Sequence, residues 1–167
     1  MPSDDHPGVK IRPVIPADRP AVAEIVSAVG NFKPVEIDCA LELVDICLQN
    51  RNQEDYRVAV AERSDGEVMG YACWGPVPLT AGTYDLYWIA THPRAHGLGF
   101  GRALMAFVEN CVRGERGRLL VLETSAKKSY ENTVRFYRGL GYEEISRIPD
   151  FYDVGDDKLT FLKRLTP

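Results

Sequence analysis

Three glycines at alternate positions, Gly97, Gly99 and Gly101, lie between a predicted strand and a predicted helix. Glycine permits a tight backbone turn and lets the chain approach a ligand closely. The first N–H groups of the following helix lack intrahelical acceptors and lie at the positive end of the helix dipole. The segment therefore predicts an α/β fold with a phosphate-binding position at the turn, although the same residues would also form a tight turn that binds nothing.

Two common phosphate-binding folds do not match this segment. A P-loop ends in Gly-Lys-Ser or Gly-Lys-Thr, whereas Gly101 is followed by Arg102 and Ala103. A dinucleotide-binding fold has an acidic residue at the end of its second parallel strand. Here the glycine turn comes mid-chain, after a predicted antiparallel meander, and no such residue is found. Another kind of α/β fold is therefore expected.

Hydrophobic periodicity predicts the element order β-α-α-β-β-β-α-β-α-β-β. Asp18 is the predicted cap of the first helix, and the nearly all-apolar strand over residues 118–124 is predicted to be buried on both sides. The predicted fold class is α/β, a single-domain mixed central sheet with helices on both faces. The predicted strands cover residues 9–14, 56–63, 67–74, 83–91, 118–124, 142–148 and 158–165.

The composition is that of an ordinary globular protein. The 167 residues fit one domain, 1–167, with its core over residues 9–165. A hydrophobic fraction of 45% argues against a disordered chain, and a net charge of −4 argues against nucleic-acid binding. No apolar run approaches the roughly 20 residues of a membrane helix, and residues 1–6 have no features of a secretion signal.

The four cysteines, Cys39, Cys47, Cys73 and Cys111, are far apart and form no CxxC pair. The sequence therefore predicts no metal site. We expect buried free thiols in a protein of the reducing cytoplasm.

A second informative segment covers residues 132–142. Asn132 and Tyr137 are five residues apart on a short predicted helix that follows the strand over residues 118–124. Tyr137 is either a packed aromatic residue with its hydroxyl at the edge of the core or a functional group.

Together, the two segments resemble the GNAT superfamily of acetyl-CoA-dependent N-acetyltransferases. Residues 96–101, His-Gly-Leu-Gly-Phe-Gly, are similar to the family's pyrophosphate signature Gln/Arg-x-x-Gly-x-Gly/Ala, with Pro93 three residues before it. Residues 86–91 resemble the family's fourth strand, and residues 132–142 resemble its later motif, which often ends in Phe-Tyr-x-x-x-Gly-Phe/Tyr.

The resemblance implies acetyl-CoA as the cosubstrate. Backbone N–H groups of the glycine turn would hold the pyrophosphate, and Asn132 would bind the pantetheine amides. The strand backbone at Ile89 and Thr91 would pair with the pantetheine arm like an added strand. The residues implied in binding are Ile89, Thr91, His96, Gly97, Leu98, Gly99, Phe100, Gly101, Arg102 and Asn132.

The sequence departs from the family at His96, which stands where the signature has Gln or Arg. A histidine carries little charge at neutral pH and is shorter than arginine, so its contact with the pyrophosphate would be modest. Arg94, Arg102 and Lys127 are candidates for compensating charge, and each is equally a candidate for a solvated surface residue.

The resemblance also implies direct transfer of the acetyl group to an amine in a ternary complex. Tyr137 is the implied general acid, because a phenol stays protonated at pH 7 and the family often places this tyrosine beside the sulfur. An N–H near Ile89 would face the thioester oxygen. The base would be Asp85 or Glu123. Asp85 lies in an otherwise apolar strand, where a structural hydrogen bond is the alternative role.

The acceptor is specified less closely. The resemblance implies a small amine or a protein amino group, and it also allows a homodimer. The predicted loop over residues 150–157 holds four aspartates and two aromatic residues, which would suit a cation or would form a polar hairpin without a ligand. A different class of function, a catalytically silent acyl-CoA-binding sensor or regulatory module, would have the same glycine turn.

Overall fold

The computed structural model describes residues 8–165, so residues 1–6, where no secretion signal was expected, lie outside the described residues. Seven strands and four α-helices follow one another in the predicted order. The strands are β1 Val9–Pro13, β2 Arg57–Arg63, β3 Val68–Pro76, β4 Thr83–Thr91, β5 Leu119–Ser125, β6 Glu143–Asp153 and β7 Asp156–Arg164. The helices are α1 Arg19–Ala28, α2 Pro34–Gln49, α3 Phe100–Gly114 and α4 Glu131–Gly139.

The seven strands form one sheet in the order β1-β2-β3-β4-β5-β7-β6. β4 and β5 are parallel, and every other neighbouring pair is antiparallel. Side chains of α3 and α4 pack on one face of the sheet, and side chains of α1 and α2 pack on the other. The predicted mixed sheet with helices on both faces is confirmed.

Each face of the sheet has its own hydrophobic core. Leu104 of α3 is fully buried with Leu120 of β5 on one face. Val26 of α1 and Val44 of α2 are fully buried on the other. Full burial of a side chain of this size contributes about 1.5–3 kcal/mol. The central strands are therefore held from both sides, and their C-terminal ends are rigidly placed.

The predicted helix cap at Asp18 is wrong. Asp18 precedes α1, but its side chain makes no cap hydrogen bond with that helix. Its carboxylate accepts from the Ile15 N–H at 2.8 Å and from two nitrogens of Arg12 at 2.7 and 2.9 Å. Burial alone would raise the pKa of Asp18, but these bonds outweigh it and hold that pKa below its usual value. The side chain stabilises the turn before the helix instead.

Two predictions about the strands also need correction. β5 is not buried on both sides, because Glu123 on the face away from α3 is exposed. That face is open because β4 no longer accompanies β5 at this level. The last two strands approach each other more closely than predicted, so a turn at Val154 and Gly155 replaces the predicted loop over residues 150–157.

The four cysteines are free, but Cys73 alone is buried. Cys47 and Cys111 are half-buried and Cys39 is exposed, so the expectation of buried thiols holds at one position. Among the helices within residues 8–165, none is long and apolar enough to cross a membrane.

Candidate active site

A gap opens in the middle of the sheet, between β4 and β5. The two strands pair at four positions, the last of which is Leu86 opposite Leu122. Beyond this point β4 continues to Thr91 alongside β3, and β5 continues to Ser125 alongside β7. The facing edges of the two strands therefore have no strand partner at their C-terminal ends, which leaves a place for an extended ligand.

The backbone of β4 presents polar groups to this gap. The His92 N–H donates to the Met69 carbonyl of β3 at 2.8 Å. In an antiparallel pair, the N–H and C=O groups of successive residues point to opposite edges of the strand. Because His92 and Ala90 face β3, the backbone groups of Ile89 and Thr91 face the gap. These are the two residues for which the sequence predicted pairing with the pantetheine arm.

The glycine turn lies just beyond β4 and opens α3. Gly97 and Gly99 have φ values of 77° and 88°, in the left-handed region that favours glycine. Gly99 is the N-cap of α3, so the N–H groups of Phe100, Gly101 and Arg102 have no acceptor within the helix. These donors, at the positive end of a helix, suit a phosphate group.

Three elements meet at Gly101. A Cβ atom at this position would lie 3.3 Å from the Phe136 ring of α4 and 4.0 Å from Thr91 Cγ2 of β4. The glycine turn, α4 and the end of β4 therefore converge with little room for a side chain. Phe100 is buried beneath the turn, and Leu98 at its top is exposed.

His96 and Asn132 lie at the margins of this convergence. His96 Nε2 is 3.3 Å from the Thr91 carbonyl oxygen, so the ring contacts a backbone group that faces the gap. Asn132 is exposed in the first turn of α4, four residues before Phe136 and on the same side of the helix. It therefore lies on the side of α4 that meets the glycine turn.

Two of the three candidates for compensating charge are already neutralised. Arg94 pairs with Glu67 at 2.6 Å, and Lys127 pairs with Asp156 at 3.3 Å. Arg102 is exposed in the first turn of α3 and makes no ion pair with any residue between 8 and 165. Arg102 is thus the candidate whose charge is available to a phosphate.

Tyr137 lies at the level where β4 and β5 separate. Its ring centroid is 6.2 Å from that of Phe161, which lies opposite Leu122 in the sheet. The residue is 5% exposed, and burial raises the pKa of Tyr137, so the phenol stays protonated at neutral pH. Its hydroxyl has no hydrogen-bond partner within residues 8–165. The fully enclosed side-chain atoms without a partner there are Tyr71 Oη and Trp74 Nε1, so the Tyr137 oxygen is accessible.

The two candidate bases lie on the other face of the sheet, because their neighbours Leu86 and Leu122 point into the core beneath α3. Burial and the nearby charge of Glu123 raise the pKa of Asp85. The carboxylate of Asp85 makes no hydrogen bond or ion pair with the described residues, whereas Glu123 pairs with Lys158 at 3.0 Å. Asp85 is therefore the carboxylate that is available to a ligand.

Aromatic side chains surround these carboxylates. A bulge leaves Tyr87 of β4 without a partner in β3, and its ring meets Tyr56 edge-on with centroids 5.5 Å apart. Phe151 and Tyr152 of β6 pack edge-on against each other at 5.1 Å. The ammonium of Lys158 lies 4.1 Å from the centroid of the Phe151 ring.

The aspartates of the β6–β7 hairpin hold the hairpin itself. Asp150 and Asp153 accept backbone N–H groups of the turn, and Asp157 forms an ion pair with an arginine of β6 at 3.2 Å. Asp156 is buried and bonded to Ser125 of β5. Of the two interpretations that the sequence left open, these contacts favour the polar hairpin.

Sequence reasoning missed Lys158 and Tyr152. Lys158 lies opposite Ser125 across the β5–β7 pair, and no local pattern indicates that register. Tyr152 was visible only as one of two aromatic residues beside the aspartates. Within the described range, no group of three or more His, Cys, Asp or Glu side chains is placed to hold a metal ion.

Comparisons with known proteins identify the family. The family model of the GNAT acetyltransferase domain matches residues 54–144. A protein of the GNAT family from Desulfovibrio desulfuricans is 42% identical, with a TM-score of 0.87 over 95% of this chain and 99% of that chain. No curated protein matched the sequence.

More distant solved structures have the same fold. A ribosomal-protein-alanine N-acetyltransferase from Brucella melitensis is 27% identical, with a TM-score of 0.73 over 93% of this chain and 99% of that chain. YncA from Salmonella typhimurium, solved with its cofactor acetyl-CoA, is 22% identical, with a TM-score of 0.75 over 96% of each chain. The family match spans more than half of the sequence, and the glycine turn, the gap and α4 stand in one arrangement: the chain belongs to the GNAT family of acetyltransferases.

Proposed function

We propose that the protein transfers an acetyl group from acetyl-CoA to a primary amine, by direct attack in a ternary complex. The observation that carries this proposal is the gap between β4 and β5, whose edge holds the unpaired backbone groups of Ile89 and Thr91. The gap leads from the glycine turn toward Asp85 and Tyr137. A cofactor in this place would have its phosphates at one end and its thioester among titratable side chains.

The residues of the turn fit the phosphates of coenzyme A. N–H groups of Phe100, Gly101 and Arg102 would hold the pyrophosphate, and the Arg102 side chain would add charge. Asn132 would bind the pantetheine amides from α4. YncA, which has the same fold, was solved with acetyl-CoA, and this supports the same cosubstrate here.

Acetyl-CoA supplies an activated thioester when it is bound. Asp85 takes a proton from the acceptor ammonium, so that a neutral amine attacks the carbonyl carbon. The Ile89 N–H donates to the carbonyl oxygen as negative charge develops on it. As the C–S bond breaks, Tyr137 donates its hydroxyl proton to the sulfur.

Asp85 is preferred to Glu123 as the base because of their partners. The Lys158 ammonium already binds the Glu123 carboxylate, and this contact favours the charged carboxylate over its protonated form. Asp85 has no such partner, and its raised pKa makes it the better proton acceptor of the two. The thinner support concerns the acceptor, for which a small amine and a protein amino group both stay open.

An amine panel tests the proposed function. Release of free thiol from acetyl-CoA is measured with small amines and with alanine-initiated peptides, and products are checked by mass spectrometry for one added acetyl group. We expect amine-dependent release together with an acetylated product. Tight acetyl-CoA binding without release in any arm would favour the silent sensor, and absence of binding would refute both functions.

A further inference from the structure

We propose that the acceptor is a monoamine with an aromatic or other flat apolar body, and that Lys158 excludes acceptors with a second positive charge. This inference rests on the proposed function and specifies its substrate class. It draws on the distribution of exposed aromatic rings and on the partners of the carboxylates around Asp85.

The exposed aromatic side chains are concentrated at one place. The chain has eight tyrosines, six phenylalanines and two tryptophans, and all of them lie within the described residues. Three are exposed, namely Tyr87 at 37%, Phe151 at 51% and Tyr152 at 44%. A globular protein gains by burying such rings, so three exposed ones around a single cleft indicate a surface for an apolar ligand.

Mutual electrostatic effects place these rings around the candidate base. Burial raises the pKa of Tyr87 to about 12, and the charge of Asp85 contributes. Burial likewise raises the pKa of Tyr152 to about 12, with a contribution from Glu123. Since Glu123 also acts on Asp85, Tyr87 and Tyr152 lie on opposite sides of one pair of carboxylates.

The carboxylates near this surface offer one place for a cation. Glu123 pairs with Lys158, and Asp156 pairs with a lysine at 3.3 Å. Glu36 turns back to the first turn of α2, where it accepts the Lys33 N–H at 2.6 Å. Asp55 is exposed, so water and salt screen its charge. The half-buried carboxylate of Asp85 is left without a cation among the described residues, which matches an acceptor with one ammonium group.

Lys158 occupies the position that a second ammonium would need. Its side chain is 13% exposed, and its Nζ lies between the Glu123 carboxylate at 3.0 Å and the Phe151 ring at 4.1 Å. A carboxylate beside an aromatic face is a favourable place for an ammonium. A diamine in the cleft would therefore place its distal charge against that of Lys158, and like charges in contact are disfavoured.

The first test compares amines of similar length. The kcat/KM values of 2-phenylethylamine, n-butylamine, 1,4-diaminobutane and an alanine-initiated peptide are measured at saturating acetyl-CoA. We expect 2-phenylethylamine to exceed n-butylamine and the diamine by at least about tenfold, the scale that apolar contacts give in substrate discrimination. A preference for the diamine or the peptide, or equal values for the aryl and alkyl amines, would overturn the inference.

The second test removes the internal cation. In Lys158→Gln, Glu123 becomes available, and kcat/KM for the diamine should rise about tenfold relative to the monoamine. Lys10→Gln is the matched control, because Lys10 also pairs with a glutamate at 3.0 Å but lies on β1, at the far edge of the sheet. An unchanged ratio in Lys158→Gln would show that Lys158 does not determine specificity.

Calorimetry separates the failure of this inference from the failure of the proposed function. 2-Phenylethylamine and 1,4-diaminobutane are titrated into the protein saturated with coenzyme A. Selective binding of the aryl amine without turnover would refute the acetyl transfer and sustain the specificity. Turnover of some amine combined with no preference for the aryl amine in binding would do the reverse.

Discussion

At the scale of single residues, the free hydroxyl of Tyr137 carries the clearest prediction. Tyr137→Phe keeps the ring and its packing on Phe161 but removes the one proton that can reach the sulfur. We expect kcat to fall by about 10²–10⁴-fold, the range typical of a positioned proton donor, with acetyl-CoA affinity and melting temperature almost unchanged. Single-turnover rates measure the chemical step itself.

Tyr142→Phe is the control for that change. The Tyr142 hydroxyl is buried and donates to Glu109 at 3.0 Å, away from the gap. Its loss should lower the melting temperature and leave the single-turnover rate close to that of the parent protein. A normal rate in Tyr137→Phe would show that Tyr137 is a packed aromatic residue and not the acid.

Asp85 makes a prediction about the pH dependence of activity. As base, Asp85 removes a proton that the acceptor loses by itself at high pH, where most of the amine is neutral. The activity of Asp85→Asn should therefore be strongly reduced at neutral pH and approach that of the parent protein as the pH rises. A constant ratio of the two kcat/KM values across the pH range would assign the proton transfer elsewhere.

The same side chain makes a prediction about stability. Burial and the charge of Glu123 raise the pKa of Asp85 in the fold above its value in the unfolded chain, so the folded state binds the proton more tightly. Stability is then lost as the pH rises through that interval, and ionised Asp85 disfavours the fold. Asp85→Asn should melt at a higher temperature than the parent at pH 7. The difference should vanish below about pH 3, where Asp85 is protonated in both states.

At the scale of elements, the convergence of α3, α4 and β4 at Gly101 is the feature to test. Valine at this position would press on the Phe136 ring and fill the approach to the N–H groups of α3. Gly101→Val should therefore raise the acetyl-CoA dissociation constant by at least about tenfold, since backbone donors hold the pyrophosphate. Gly114→Ala, at the other end of the same helix with nothing within 4 Å, should leave the constant unchanged.

Calorimetric titration of acetyl-CoA into each folded variant measures this effect. Equal affinity in Gly101→Val and the parent would place the pyrophosphate elsewhere. The comparison isolates the turn, because both substitutions lie on α3 and neither requires a left-handed backbone.

At the scale of the whole molecule, local patterns predicted the order of the elements but not their pairing. Apolar periodicity and glycines mark where each strand and helix lies, so all seven strands were anticipated. The separation of β4 from β5 depends on β5 pairing onward with β7, from residue 158 to the chain end, and this contact is remote in sequence. For the same reason Glu123 was expected inside a buried strand and is exposed instead.

The candidate site divides in the same way. The glycine turn, Asn132 and Tyr137 were found from motifs, because each lies within a short segment of fixed spacing. The ion pair of Glu123 with Lys158 joins residues 35 positions apart and depends on the register of two strands. A cap at Asp18 was plausible from its position, yet Arg12 on the neighbouring strand captures its carboxylate. Tertiary partners, which no local pattern contains, decide these roles.

A crystal structure of the protein with acetyl-CoA tests the central claim most directly. The measured quantity is the distance between the Ile89 nitrogen and the thioester carbonyl oxygen. We predict that the pantetheine arm lies between β4 and β5 and that this distance is about 2.7–3.1 Å, the range of a donor that stabilises developing charge. An empty gap, or a thioester bound away from Ile89, would contradict the assignment of this edge as the place of acetyl transfer.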